Sequence, residues 1–170
     1  ERISVADLNR LPMEGAVEIC AGFFENSPWV VAKALEERPF DSLETFHAAC
    51  MRALAGAAEA DRLQLIRSHP DLVGRLAKEG RLTQESTAEQ RAAGLDHLSG
   101  EEVERFEELN AAYWERFGFP FVICARQNRK QAILEAFPRR LAQERATEIE
   151  TAIGEIGEIA RLRMADRITE

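Results

Sequence analysis

Residues 99–118 constrain the fold more than any other stretch of the chain. Ser99 and Glu102 stand at the spacing of a capping box, in which two side chains satisfy backbone N–H groups at a helix start. Val103, Phe106, Asn110, Tyr113 and Phe117 follow at alternating steps of three and four, the period of one helix face. Gly118 then supplies the residue type that most readily takes left-handed dihedrals at a helix end. A helix of about five turns with one apolar face must be covered by other elements.

The rest of the chain offers more helices. Ser27 before Pro28 reads as an N-cap with proline at the first helical position. Asp41 with Glu44 fits a second capping box, and Leu43, Phe46, Cys50 and Leu54 share one face behind it. Asp61 is expected to open a helix that stops near Pro70, because proline disfavours helical dihedrals in the residue before it. Residues 143–168 read as one long helix whose buried stripe is Ile149, Ile153, Ile156 and Ala160. Strand signals are poor. The one continuous apolar run, residues 119–125, contains Pro120 and reads as a short buried extended piece that turns helical near its end. A lone strand makes no sheet. The expected fold is all-α: a single irregular bundle of about seven or eight helices. At 170 residues it is expected to form one domain, spanning residues 1–170.

Charge narrows the partners. A net charge of −8 lacks the basic footprint of a nucleic-acid binder. The local basic run of Arg126, Arg129, Lys130, Arg139, Arg140 and Arg145 is expected to be a solvated helix face. Cys20, Cys50 and Cys124 are odd in number, lack a CxxC spacing and sit among apolar neighbours. They read as buried free thiols in a reducing, cytoplasmic setting. No apolar stretch approaches the length of a membrane span, and the N-terminus does not read as a secretory signal.

Three polar residues break the pattern of their elements. His69, in Ser68-His69-Pro70-Asp71, is expected to project from a helix end. It is either a turn histidine bonded to a carbonyl or a proton carrier near neutral pH. Glu89 stands three residues after Ser86, so the two form either another capping box or an anion-facing helix start. Arg163 continues the stripe of Ile149, Ile153, Ile156 and Ala160. A buried guanidinium needs a partner, which is either a structural carboxylate or an anionic ligand. Asn110, on the core face of its helix, raises the same question. Arg161 and Arg167 read as exposed, and His47 and His97 carry no motif.

These segments together resemble a known family. The stretches are Phe23-Phe24-Glu25-Asn26-Ser27-Pro28-Trp29, Ser68-His69-Pro70-Asp71-Leu72 and Ser86-Thr87-Ala88-Glu89-Gln90. They continue through the region of Phe106, Asn110 and Tyr113, then Arg116-Phe117-Gly118-Phe119-Pro120-Phe121-Val122-Ile123-Cys124-Ala125, and end at Leu162-Arg163. In order and spacing the chain resembles the OHCU decarboxylase family, OHCU being 2-oxo-4-hydroxy-4-carboxy-5-ureidoimidazoline. The resemblance implies an all-helical homodimer, without metal or organic cofactor, that converts OHCU to (S)-allantoin in urate breakdown. It places catalytic roles on His69, Glu89 and Arg163. It places substrate contacts on Pro70, on Ser86, Thr87, Ala88 and Gln90, and on Phe121, Val122, Ile123, Cys124 and Ala125. A non-catalytic helical assembly module, or a lyase or hydrolase for a related ureido acid, is the alternative.

Overall fold

The structure, a computed structural model, describes residues 2–74 and 79–170. Nine α-helices lie among the described residues, one or two more than expected, and the fold is all-α apart from one minimal strand pair. The chain divides into two compact units, Glu1–Ser68 with Gly157–Glu170, and His69–Ile156.

The first unit holds the strand pair. β1 (Ile3–Ser4) runs parallel to β2 (Ile168–Thr169), with Ile3 opposite Ile168 and Ser4 opposite Thr169. Strands of two residues are too short to show alternation, so no sequence pattern announces them. Five helices follow: α1 (Val5–Arg10), α2 (Met13–Cys20), α3 (Trp29–Leu35), α4 (Leu43–Ala55) and α5 (Glu59–Arg67). α3 packs on both α2 and α4, and Leu8, Cys20, Val31, Leu35, Phe46 and Leu54 are buried.

Three helix starts differ from the sequence reading. The capping box of α4 is Ser42 with Thr45, one residue on from Asp41 and Glu44; Ser42 Oγ accepts from Thr45 N at 3.1 Å, and Thr45 Oγ1 takes Ser42 N at 3.2 Å. Two hydroxyls close this box as well as a carboxylate would, and a search for acidic residues passes over them. α5 starts at Glu59 behind Ala58, with Asp61 inside its first turn, where the carboxylate favours the helix dipole. α3 starts at Trp29, with Pro28 in the cap position.

The second unit contains α6 (Gln84–Ala92), α7 (Gly100–Phe117), α8 (Lys130–Leu141) and the first part of α9 (Arg145–Arg167), whose residues from Gly157 onward belong to the first unit. α7 starts as expected, with Ser99 and Glu102 closing a capping box. It stops at Gly118, whose φ of 77° lets its N–H reach Trp114 O at 2.8 Å. Phe106, Leu109, Asn110, Tyr113 and Phe117 form its buried face. Between α7 and α8 the apolar run has no helix or strand until one 3₁₀ turn at Ala125–Gln127, in line with the expected extended piece turning helical at its end.

The basic run divides. Arg126, Arg129, Arg139 and Arg145 are exposed and Lys130 is half-buried, but Arg140 is buried. Arg140 is thus not part of a solvated face. It continues the stripe of Ile133, Ala136 and Phe137 on the inner side of α8.

Candidate active site

The histidine loop opens the second unit. His69 is 8 % exposed, and three of the residues after it, Asp71, Leu72 and Val73, are tied down from two helices. Asn110 Nδ2 on α7 donates to Leu72 O at 2.9 Å, which settles what that core-facing amide nitrogen does. Trp114 Nε1, one turn further on, donates to Asp71 Oδ1 at 2.9 Å. Val73 N donates to Gln90 Oε1 on α6 at 3.3 Å. Val73 has φ 55°, a left-handed value that costs a β-branched residue energy and is uncommon outside sites where the surroundings enforce it. Burial raises the pKa of the Asp71 carboxyl, opposed by the hydrogen bond from Trp114.

On α6 the capping residue is Thr83, whose Oγ1 accepts from Ser86 N at 3.2 Å. Ser86 is therefore not a cap, and the Ser86–Glu89 spacing is not a capping box. The helix begins a turn earlier than that spacing suggests, because threonine caps through the same geometry as serine. This frees Ser86 and Glu89 to lie one turn apart within the helix. Ser86, Glu89 and Gln90 are buried, Thr87 is half-buried and Ala88 is exposed.

α6 packs on the 3₁₀ turn that ends the apolar run, and Lys130 N donates to Ala93 O at 3.3 Å beside it. Cys124 registers this closeness. Its thiol pKa is raised first by burial, lowered in part by the Gln127 backbone N–H, and raised further by the negative charges of Glu155 and Glu89. The structure thus brings the histidine loop, the inner face of α6 and the end of the run into one unit, linked by the Val73–Gln90 bond and by α6 against the turn. A cavity of about 380 Å³ opens beside Thr87, Gln90, Val73, Leu82 and Leu95; neither His69 nor Glu89 lines it.

Arg163 stands in the first unit, 4 % exposed. Its Nη2 lies 3.0 Å from Glu25 Oε2, and its Nη1 donates to Gly22 O at 2.9 Å. The partner left open by the sequence is here a buried carboxylate. The turn that presents Glu25 passes through Asn26 at φ 48°, a value asparagine tolerates better than most residues. Arg161, two residues earlier, is exposed and pairs with Glu158 at 2.9 Å. His47 Nε2 lies 2.9 Å from Gly157 O, where α9 passes so close to α4 that a Cβ on Gly157 would meet Met51 Cε at 2.8 Å. Among the described residues no cluster of three or more His, Cys, Asp or Glu side chains is placed to hold a metal ion.

The sequence reading missed a second buried arginine and its partners. Arg140 Nε donates to Glu148 Oε1 at 2.5 Å and its Nη2 pairs with the same carboxylate. Tyr113 OH donates to Glu148 Oε1 at 2.5 Å, and Gln143 Nε2 to Oε2 at 2.9 Å. Burial and the Glu148 bond push the Tyr113 phenol above its ordinary range. Arg140 Nη1 donates to Val122 O at 2.5 Å, and its guanidinium lies 4.3 Å from the centre of the Phe121 ring. The available signal was the stripe through Ile133, Ala136 and Phe137, the same kind that singled out Arg163.

The model of the OHCU decarboxylase family matches residues 9–165, through both units. The chain belongs to the OHCU decarboxylase family. Within that family it is 40% identical to the 2-oxo-4-hydroxy-4-carboxy-5-ureidoimidazoline decarboxylase of Haloferax volcanii, over 98% of this chain and 97% of that one. It is also 40% identical to the Amia calva protein of the same name, over 98% and 95%. The uric acid degradation bifunctional protein PucL of Bacillus subtilis is 38% identical over 96% of this chain, which spans 32% of that longer protein. Two crystal structures share the fold. One is (S)-allantoin synthase, with a TM-score of 0.79 and 24% identity over 98% of this chain, which spans about half (54%) of that one. The other is OHCU decarboxylase in the presence of (S)-allantoin, with a TM-score of 0.67 and 22% identity over 92% of this chain and 97% of that one.

Proposed function

We propose that this OHCU decarboxylase family member removes carbon dioxide from OHCU and delivers (S)-allantoin in urate breakdown. The observation that carries the reading is the burial of His69 and Glu89 in one unit, at 8 % and 9 % exposure. Ionisable side chains withdrawn from bulk water in this way suit a site where protons are moved out of reach of solvent. Relatives 40% identical over nearly the full chain, named for this reaction, support it.

The reaction needs no external electron sink. As the bond to the carboxylate breaks, its electron pair forms a double bond to the adjacent imine carbon. The imine nitrogen takes up a proton. The ring hydroxyl then gives up its proton to become a carbonyl, and the former imine carbon takes a proton from one face. The sum is one OHCU anion and one proton in, one allantoin and one carbon dioxide out. His69 is proposed to supply or steer the proton that sets the hand of the product. Glu89 holds the substrate hydroxyl or orients His69. Arg163 anchors a carbonyl or anionic part of the substrate, with Glu25 holding the guanidinium in place. Tight pairing of arginine with the departing carboxylate would stabilise the ground state, so the anchor belongs on a ring or ureido oxygen. Pro70, Ser86, Thr87, Ala88, Gln90 and residues 121–125 are the proposed contacts around the ring. The proposal includes one functional domain over residues 1–170, a homodimer and a cytoplasmic setting. The free buried thiols of Cys20, Cys50 and Cys124 fit the last of these.

The test uses OHCU made fresh from urate by the two preceding reactions, with circular dichroism following the product. A rapid rise of one-handed allantoin is expected. His69→Ala and Glu89→Ala should each lower turnover by roughly 10²–10⁴-fold while staying folded. Unaccelerated, optically silent product from folded wild-type protein would refute the activity; near-wild-type turnover in either variant would remove that residue from the mechanism.

A further inference from the structure

Residues 119–123 form a buried run with hardly any hydrogen bonds. Phe119, Phe121, Val122 and Ile123 are each 7 % exposed or less. Among the described residues, the bond from Arg140 Nη1 to Val122 O is the one hydrogen bond on their backbone. Buried N–H and C=O groups are nearly always paired, because an unpaired one carries its full desolvation cost. The peptide groups of Phe121 and Ile123, one residue either side of Val122, have no protein partner among the described residues. Donors and acceptors left over on a buried run suit a planar, urea-like ligand edge, which presents N–H and C=O in turn.

What sets the run in place is then decisive. Its side chains are stacked: Phe121 lies 3.8 Å from Phe137 between ring centres, and Tyr113 meets Phe119 and Phe121 edge-on at 5.9 Å and 5.4 Å. Aromatic stacking fixes where the rings sit but makes no hydrogen bond to the peptide planes. Arg140 supplies that bond. Its guanidinium is planar, lies over Phe121 and bonds Val122 O, while Glu148 fixes its other edge. Glu148 is itself held by Tyr113 and Gln143.

Resting on the proposed OHCU reading, we propose that Arg140 is a positioning residue: held by Glu148, it takes the Val122 carbonyl for itself and so turns the Phe121 and Ile123 peptide groups toward the substrate's ureido or ring edge. Lysine is a poor replacement, because its ammonium is a rotatable point charge with no planar fork to lie over Phe121 and aim at Glu148 and Val122 in fixed directions.

The experiment measures kcat and KM for formation of one-handed allantoin by the full chain and three variants. Wild type must turn over; if it does not, the OHCU reading fails and the positioning role is not what failed. Contacts of this kind bind ground state and transition state alike, so their loss appears in KM. Arg140→Lys is expected to raise KM about tenfold or more with kcat little changed, as loss of a charged hydrogen bond implies. Tyr113→Phe removes a bond to the same buried carboxylate but leaves Arg140 on Val122, and should keep the wild-type KM. The pair swap Arg140→Met with Glu148→Leu, made together with Tyr113→Phe so that no buried hydroxyl loses its acceptor, is the safeguard for folding, since replacing a buried ion pair by apolar residues is often neutral or better for stability. It should fold and show the same raised KM. A folded Arg140→Lys or pair-swap variant with wild-type KM would overturn the proposal. So would Tyr113→Phe raising KM as much as Arg140→Lys, since the network would then act only through general stability.

Discussion

Among the described residues a buried arginine–glutamate pair lies in each unit, and the two pairs are built differently. In the first unit Arg163 meets Glu25 across a sequence separation of more than a hundred residues and also bonds the carbonyl of Gly22. In the second, Arg140 meets Glu148 eight residues away, across the corner between α8 and α9. Glu148 is fully buried and accepts from Arg140, Tyr113 and Gln143. The second pair is therefore the centre of a network, with rings stacked on its cation. The first is an arginine held at the end of a long helix by a turn near the start of the chain. A buried ion pair is weak evidence for stability in itself, since desolvation offsets most of its attraction. Among the bonds described, what differs is that Tyr113 and Gln143 also donate to Glu148 and lose their acceptor with it.

That difference predicts the largest effect. Glu148→Ala leaves Arg140, the Tyr113 hydroxyl and the Gln143 amide without their acceptor. Breaking a buried pair costs about 3–5 kcal/mol, and Glu148→Ala should sit at the top of that range or beyond it. Glu25→Ala leaves Arg163 its bond to the Gly22 carbonyl, and should sit lower in that range. Urea unfolding of both variants checks the order. Equal losses would erase the distinction between network and pair, and a larger loss for Glu25→Ala would reverse it.

The same two pairs show what is legible in a sequence. Both arginines sit on apolar stripes at helical period: Arg163 behind Ile149, Ile153, Ile156 and Ala160, and Arg140 behind Ile133, Ala136 and Phe137. The first stands out because its stripe is long and clean. The second sits beside Arg139 and within reach of Arg129, Lys130 and Arg145, so a count of charges reads as a solvated face. Periodicity is local and survives in the sequence; the orientation of each helix is set by tertiary packing and does not. Caps follow the same division. Ser99 with Glu102 was legible because serine and glutamate make the commonest box, whereas Ser42 with Thr45 and the lone Thr83 use hydroxyls that look like any others. His69 and Glu89 stood out by motif and by resemblance to the family, but their burial is a property of the packed unit. The strand pair at the chain ends left no trace in the sequence, being two residues per strand.

Alkaline pH offers a smaller test in which both units contribute. In the first, burial raises the Cys20 thiol to about 12, opposed by the positive charges of Arg167 and Arg38, and burial also raises Cys50. In the second, Tyr113 and Cys124 are raised as well. A group raised in the folded state keeps its proton there after the unfolded chain has lost it. Below the ordinary thiol value of 9.0 both states are neutral and stability is level; as pH rises toward 12 the unfolded state ionises first and stability falls. Urea midpoints between pH 8 and pH 12 are expected to show this decline, shallower in Cys20→Ala than in wild type. An equal slope in the variant would mean that Cys20 does not report on folding.

The smallest effect belongs to a carboxylate whose described partner carries no charge. Asp71 follows the proposed catalytic loop and accepts a hydrogen bond from the Trp114 indole, and among the described residues no cation forms an ion pair with it. Burial raises its pKa above the ordinary 3.8, and the indole bond lowers it again only in part. The charge of a raised carboxyl opposes folding above pH 3.8 and is silent once both states are protonated. Asp71→Asn removes the charge and keeps an oxygen for Trp114 Nε1. The variant should be slightly more stable than wild type at pH 7, with the gain gone near pH 3. A loss of stability at pH 7 would mean that the ionised carboxylate has a favourable role in the loop, and that this unit holds a second anion whose charge contributes to its structure.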